Sequence, residues 1–141
     1  MSAAPSIALA CALVFCTAAC SRFERARECN GYARLLNHAL DEVSVDLKKP
    51  SVAAYERVAE RYARLAKDLE RVRPKEAAMQ QLLADYRTLY RQTTATLRHC
   101  IPLLGKPEHA AALRREKSTL ESLQRQEKSL AHRFETTCRG P

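Results

Sequence analysis

Residues 52–72 read VAAYERVAERYARLAKDLERV and decide the fold class of the chain. Apolar side chains recur in this stretch at steps of three and four residues, which places them along one face of an α-helix. The members of this stripe are Val52, Tyr55, Ala59, Tyr62, Ala66 and Leu69. Charged residues occupy the opposite face. The stretch therefore predicts an amphipathic helix that buries one wide stripe against neighbouring helices.

Three other stretches carry the same spacing, over residues 23–47, 74–101 and 108–137. Good helix formers dominate them, and no strand-like alternation of β-branched residues appears. Segments of similar length joined by short turns favour antiparallel neighbours. We expect an all-α protein, an antiparallel up-down-up-down four-helix bundle that follows an N-terminal signal helix.

Prolines and a serine mark the predicted breaks between these helices. Pro50 ends the first helix, because the residue before a proline disfavours the helical conformation. Ser51 is then a candidate N-cap for the second helix. Pro74 fits the first position of the third helix and Pro107 opens the fourth, since proline is tolerated where no backbone donor is needed. Pro102 ends the third helix.

The first twenty residues contain no charged side chain. An apolar run from Ile7 to Phe15 leads through Thr17 and two alanines to Cys20. The run has the ~7–15 residues of a signal-peptide core, whereas a membrane-spanning helix needs ~20. The pattern Thr17-Ala18-Ala19-Cys20 resembles the signal of a bacterial lipoprotein. The resemblance implies cleavage before Cys20, lipid on the Cys20 sulfur and a membrane anchor at that residue.

The same resemblance implies a division of the chain. Residues 1–19 are the signal peptide, residues 20–24 a lipidated tether, residues 25–138 the bundle and residues 139–141 a frayed tail. Ser21 stands where an aspartate commonly retains such lipoproteins in the inner membrane. The implied location is therefore the bacterial cell envelope, at the outer membrane facing the periplasm. Secretion after the same cleavage, and an uncleaved anchor or intracellular helix, are the alternatives.

The chain carries a formal net charge of +8, and all of it lies in the 122 residues that follow residue 19. Export argues against nucleic acid as the partner of this basic domain. It favours an anionic envelope component or a protein. Seven arginines form a candidate anion-binding face on the second and third helices: Arg57, Arg61, Arg64, Arg71, Arg87, Arg91 and Arg98. The alternative is a solvated face that nearby carboxylates neutralise.

Six cysteines divide by position, and two of them lie in the predicted signal. In an up-down-up-down bundle, Cys29 and Cys138 lie at the same end, whereas Cys100 lies at the opposite end. A disulfide requires Cα atoms within ~7 Å. This geometry predicts a Cys29–Cys138 bond and a free Cys100. Three free thiols, or a Cys29–Cys100 bond in another topology, are the alternatives.

Motifs for chemistry are sparse in this sequence. His99, Cys100 and His109 flank the turn between the third and fourth helices and are weak candidates for a metal site, because the spacing typical of ligands is missing. We expect no metal, no cofactor and no catalysis, since no nucleophile motif or phosphate-binding glycine loop occurs.

Four tyrosines are predicted to lie along one seam between the second and third helices: Tyr55, Tyr62, Tyr86 and Tyr90. They indicate either a core with phenol oxygens at its rim or an aromatic groove for a ligand. Two charged residues, Lys117 and Glu127, interrupt the apolar seam of the fourth helix.

The sequence therefore favours a lipid-anchored helical bundle with a binding or structural accessory role. A periplasmic sensor that binds a metal or a small ligand is the alternative. The sequence does not specify the oligomeric state.

Overall fold

The computed structural model describes the backbone of residues 6–140 and the side chains of residues 21–140. The side chains of the predicted signal peptide and of Cys20, together with Pro141 of the predicted tail, lie outside the described residues. Four α-helices follow one another along the chain: α1 Ser6–Leu47, α2 Val52–Arg71, α3 Ala77–Cys100 and α4 Ala110–Arg139. Two 3₁₀ turns, Ile101–Leu103 and Pro107–His109, connect α3 to α4. Over the described residues, none of these helices is long and apolar enough to cross a membrane.

The chain divides into two compact units, Met1–Arg34 and Leu35–Pro141. The described part of the first unit is the first portion of α1, which includes the predicted tether at residues 20–24. The second unit contains the end of α1 and all of α2, α3 and α4. Residues 25–34, which the sequence assigns to the bundle, belong to the first unit.

Polar contacts show how neighbouring helices of the second unit run relative to each other. For each pair of consecutive helices, two contacts are compared. As the residue number rises along the first helix, the number of its partner on the next helix falls. The pairs are Asp46 with Arg57, Glu42 with Arg61, Glu60 with Arg98, Glu70 with Arg91, Asp85 with Arg133 and Tyr90 with Glu127. Consecutive helices are therefore antiparallel. The predicted all-α bundle is confirmed.

One layer of the core receives residues from every helix. We call its buried residues the valine layer; they are Val43 of α1, Val58 and Ala59 of α2, and Leu97 of α3. Leu120 of α4 packs against this layer, as do Tyr62 and Ile101. Burial of apolar surface contributes ~25 cal/mol per Å², so the valine layer stabilises the packing of all four helices.

The predicted apolar stripe is buried most completely on α3. Of the other stripes, α1 buries Cys29, Leu36 and Val43, and α4 buries Leu123 and Leu130. Leu47 is 42% exposed and Val52 is 50% exposed, although both belong to predicted stripes. Both residues flank residues 48–51, where the chain leaves one helix and enters the next. Their exposure reflects this position at the helix ends.

The start of α2 matches its prediction, whereas the start of α3 does not. The backbone N–H of Ala54 donates to the Ser51 hydroxyl at 3.0 Å, which confirms Ser51 as the N-cap. Pro74 is not the first residue of α3, which begins at Ala77. The side-chain amide of Gln80 donates to the Pro74 carbonyl at 2.9 Å. The Gln80 side chain thus occupies the Pro74 carbonyl, which would accept a backbone N–H if the helix began at Pro74.

The turn before α4 requires one glycine. Gly105 has a φ of 71°, in the left-handed region that side chains with a Cβ rarely adopt. Pro107 then opens a 3₁₀ turn that leads into α4. The prediction that Pro107 begins the helical segment is therefore confirmed, with one turn of tighter helix before Ala110.

Candidate binding site

Three tyrosines from α2 and α3 stack in a row inside the bundle. The Tyr90 ring lies between two neighbours, with its centroid 5.4 Å from that of Tyr62 and 5.7 Å from that of Tyr86. Residues 86 and 90 are one turn apart on α3, so their rings share a face. Tyr90 is only 1% exposed. Such ring pairs add about 0.5–1.5 kcal/mol beyond the area they bury.

A carboxylate from α4 completes the group. The Tyr90 hydroxyl donates a hydrogen bond to Glu127 Oε1 at 3.1 Å. Within residues 21–140, no lysine, arginine or histidine forms an ion pair with Glu127. We call Tyr62, Tyr86, Tyr90 and Glu127 the tyrosine cluster. The cluster therefore places a half-buried carboxylate against aromatic rings, with one phenol as its only hydrogen-bond donor among those residues.

Burial shifts the proton affinity of every member of the tyrosine cluster. It raises the pKa of Tyr62 to about 12 and that of Tyr86 to about 12, with the Glu127 charge as the second cause. The pKa of Tyr90 is also raised, by burial first and then by Glu127. Burial raises the pKa of Glu127 itself, and the hydrogen bond from Tyr90 opposes that shift in part. The cluster favours neutral groups, because a charge there is poorly solvated.

A cavity of about 280 Å³ lies beside the tyrosine cluster. All four helices contribute to its wall, and most of the lining is aliphatic or aromatic. The lining residues are Val43, Leu47, Tyr55, Val58, Tyr62, Leu89, Thr93, Leu97, Lys117, Leu120, Glu121, Leu123, Gln124 and Glu127. Its volume is near the lower end of the ~300–1,000 Å³ of small-molecule pockets. An apolar cavity with a few polar groups is the usual form of a ligand site.

The structure brings together three of the four tyrosines that the sequence placed on one seam, because Tyr62, Tyr86 and Tyr90 stack on one another. Tyr55 and Tyr62 line the cavity, whereas Tyr86 and Tyr90 are buried. Glu127 is part of the site, although the sequence indicated only that it interrupts the apolar seam of α4. That interruption was the available signal, because a charged residue within a buried stripe needs a partner.

The predicted arginine face is extensively paired with carboxylates. Five of its seven members form ion pairs: Arg57 with Asp46, Arg61 with Glu42 and Asp46, Arg71 with Asp68, Arg91 with Glu70, and Arg98 with Glu60. The Asp46 carboxylate accepts hydrogen bonds from Arg57 at 2.8 Å and from Arg61 at 2.6 Å, and these bonds lower its pKa. Arg57 and Arg61 connect α2 to α1, and Arg91 and Arg98 connect α3 to α2, whereas Arg71 pairs within α2.

The two other arginines of this face differ in their surroundings. Arg64 is exposed. The Nε atom of Arg87 is buried and has no hydrogen-bond partner within the described side chains. A buried donor without a partner costs roughly 1–3 kcal/mol, so this position of Arg87 lowers the stability of the bundle.

The cysteines of the bundle fall into two states. Cys29 and Cys138 are disulfide-bonded. Cys100 is a free thiol and is buried. This division agrees with the one that the up-down-up-down geometry predicts. Burial raises the pKa of the Cys100 thiol, and Glu116 raises it further.

The three metal candidates flank the turn between α3 and α4. His99 is exposed near the end of α3, and His109 lies in the 3₁₀ turn before α4. Among the side chains of residues 21–140, no group of three or more histidine, cysteine, aspartate or glutamate residues is arranged to hold a metal ion. The structure therefore does not gather His99, Cys100 and His109 into a ligand set.

Comparison with known proteins adds no assignment. The chain matches no protein-family model, no curated protein and no solved structure.

Proposed function

We propose that this protein is a lipid-anchored component of the bacterial cell envelope with a binding or structural accessory role and no catalytic activity. The disulfide-bonded state of Cys29 and Cys138 is the observation that carries this proposal, because such bonds persist in oxidising compartments such as the periplasm. The uncharged apolar run before Cys20 supports export and anchoring. Several acyl chains on Cys20 would give firm retention, since each buried CH₂ contributes ~0.8 kcal/mol.

We also propose that Cys29 and Cys138 pair with each other. They lie 109 positions apart in the chain. The chain-entropy treatment assigns about 4–5 kcal/mol of stabilisation to a loop of that length. Proteolysis without reductant should release the Cys29 and Cys138 peptides as one linked species, while Cys100 reacts with a thiol label after unfolding. A Cys100 peptide linked to either one would contradict this pairing.

The anchor is tested by two matched substitutions in the full-length chain. Cys20→Ser should release the protein from the membrane fraction of an expressing Gram-negative cell and abolish incorporation of labelled fatty acid. Cys16→Ser makes the same chemical change four residues earlier and should leave both unchanged. Mass spectrometry of the wild-type N-terminus should show a lipid-modified Cys20. An unmodified Cys20, or membrane retention of Cys20→Ser, would refute the anchor.

The proposed partner is an anionic envelope component or a protein, recognised by the surface of the basic bundle. The net charge of +8 supports an anionic partner at the membrane, although ion pairs offset part of the arginine face. Crosslinking in intact envelopes, followed by identification of the captured molecules, tests this role. Capture that is identical with Cys20→Ser would show that anchoring does not position the protein for its partner.

A second candidate function is the binding of a small ligand. The observation that favours it is the cavity of about 280 Å³ beside the tyrosine cluster. Saturable binding of a small molecule, accompanied by changes at residues that line the cavity, would support this function.

A further inference from the structure

The charges on the cavity wall leave one carboxylate uncompensated. Three charged residues line the cavity: Lys117, Glu121 and Glu127. Lys117 and Glu121 form an ion pair at 4.0 Å. Glu127 has no such partner among the described residues, and its Oε2 atom accepts no hydrogen bond there. The cavity therefore presents a net negative charge at Glu127.

The surroundings of Glu127 do not suit an inorganic cation. Calcium takes six to eight oxygen ligands, and magnesium prefers six. Nine of the fourteen residues that line the cavity are leucine, valine or tyrosine. A hydrated metal ion would lose water without gaining enough ligands. A cation with an apolar body loses much less hydration and gains contact with the wall.

Aromatic rings next to the carboxylate add a second attraction for such a cation. Tyr62 lines the cavity, and its ring stacks on Tyr90, whose hydroxyl holds Glu127 Oε1. Tyr55 lines the same cavity. A cation over a tyrosine face is attracted by the negative face of the ring, most strongly when it is shielded from water. A carboxylate and tyrosine rings on the wall of one cavity are the groups that an ammonium ion prefers.

We propose that the cavity binds a small organic monocation, an amine or quaternary ammonium compound with an apolar body, whose cationic group lies next to Glu127. This inference rests on the small-ligand function proposed above and names its ligand class. Tyr62, whose ring stacks on Tyr90, contacts the cation, while Tyr55 of α2 and Leu120 and Leu123 of α4 contact the apolar body.

Three probes of similar size and different charge test the proposal. Benzyltrimethylammonium is the cation, benzyl alcohol the neutral compound and phenylacetate the anion. The protein is taken as isolated from expressing cells and reconstituted in phosphatidylcholine nanodiscs, with empty nanodiscs as the blank. Calorimetry should show saturable binding of benzyltrimethylammonium that is at least about tenfold tighter than binding of the other two probes.

Substitutions then locate the cationic group. Glu127→Gln should weaken benzyltrimethylammonium binding by about tenfold or more, because the amide keeps the shape but removes the charge. Glu135→Gln makes the same change on an exposed part of α4 outside the cavity and should leave the affinity unchanged. Tyr62→Leu should weaken binding by about threefold or more, since leucine fills space without offering a ring face. Thermal unfolding followed by circular dichroism verifies that each variant is folded.

Two results would overturn the proposal. Binding of benzyl alcohol or phenylacetate as tight as that of the cation would refute the ligand class but retain the small-ligand function. Equal affinity of wild type and Glu127→Gln for the cation would also refute the assignment to this site. Neither result bears on the membrane anchor, which the Cys20→Ser experiment tests separately.

Discussion

The valine layer and the tyrosine cluster lie against the same cavity but are built from opposite chemistry. The valine layer consists of apolar side chains, so its burial carries no polar desolvation cost. The tyrosine cluster buries phenols and half-buries a carboxylate, and one hydrogen bond offsets only part of that cost. Stability alone favours the chemistry of the valine layer. The comparison shows that the bundle tolerates the desolvation cost of one half-buried carboxylate next to its apolar core.

The largest effect is expected from removal of the central ring of the tyrosine cluster. Tyr90→Ala should lower the free energy of unfolding by about 3–5 kcal/mol, because it leaves a large cavity between two stacked rings. Denaturant unfolding measures this loss. Tyr55→Ala removes the same side chain from the half-buried cavity wall and should cost clearly less. Equal losses would show that the stacked arrangement contributes nothing beyond the volume of one tyrosine.

A smaller loss is expected in the valine layer. Leu97→Ala should lower the free energy of unfolding by about 2–4 kcal/mol, because the methyl groups it removes are buried where the helices meet. Leu47→Ala, at a leucine that is 42% exposed, should cost less than about 1 kcal/mol. Denaturant titrations of both variants check the difference. A larger loss at Leu47 than at Leu97 would place the main core elsewhere.

Alkaline pH should weaken the tyrosine cluster selectively. The pKa values of Tyr62 and Tyr86 are about 12 in the folded protein against 10.0 for an unburied tyrosine. The unfolded chain therefore loses these protons first, so stability falls as pH rises from about 10 towards 12. Tyr86→Phe should reduce this fall, because phenylalanine has no proton to lose. Unfolding measured at a series of pH values checks the slope, and an unchanged slope would contradict the burial of the Tyr86 hydroxyl.

The smallest effect concerns the charge on Glu127. Its raised pKa means that ionisation costs stability in the folded state, so the cost is present at neutral pH and disappears as pH falls through the raised pKa towards 4.5. Glu127→Gln should therefore stabilise the protein at pH 7 by less than about 1 kcal/mol, a value reduced by partial solvent screening. The gain should vanish in acid.

The pH dependence expected for Glu127→Gln is set by the polar and charged side chains around Glu127. Tyr62 of α2 and Tyr90 of α3 face it, and Lys117 and Glu121 line the same cavity from α4 itself. The lining residues from α1, Val43 and Leu47, carry no charge. A gain from Glu127→Gln that is the same at pH 7 and in acid would assign the effect to packing rather than to charge.

The sequence predicted the helices because their apolar spacing is a local property. Ser51 was recognised as an N-cap from its position before a stripe, and its hydroxyl accepts the Ala54 N–H. The start of α3 was misplaced, because Gln80 reaches back to the Pro74 carbonyl and no periodicity reports such a bond. Local spacing shows which face of a helix is buried. It does not show how far a neighbouring helix is shifted along its axis.

That shift explains what could not be predicted about the site. The tyrosines were recognised as a shared seam, but their stacking on Tyr90 depends on the register between α2 and α3. Glu127 meets the Tyr90 hydroxyl only because α4 is placed with residue 127 opposite residue 90. The partners of the arginines follow the same rule, since Arg98 meets Glu60 and Arg91 meets Glu70 across two helices. Register is a tertiary property and leaves no mark in the spacing of one helix.

The buried thiol of Cys100 has a consequence for how the protein matures. In the folded chain its raised pKa and its burial keep the reactive thiolate scarce and inaccessible. Before α3 is packed, the Cys100 thiol lacks this protection and is open to oxidation. An oxidising compartment would then trap crossed pairs that hold α3 away from its neighbours. In such a compartment, pairing of Cys29 with Cys138 would therefore require docking of α3 ahead of oxidation.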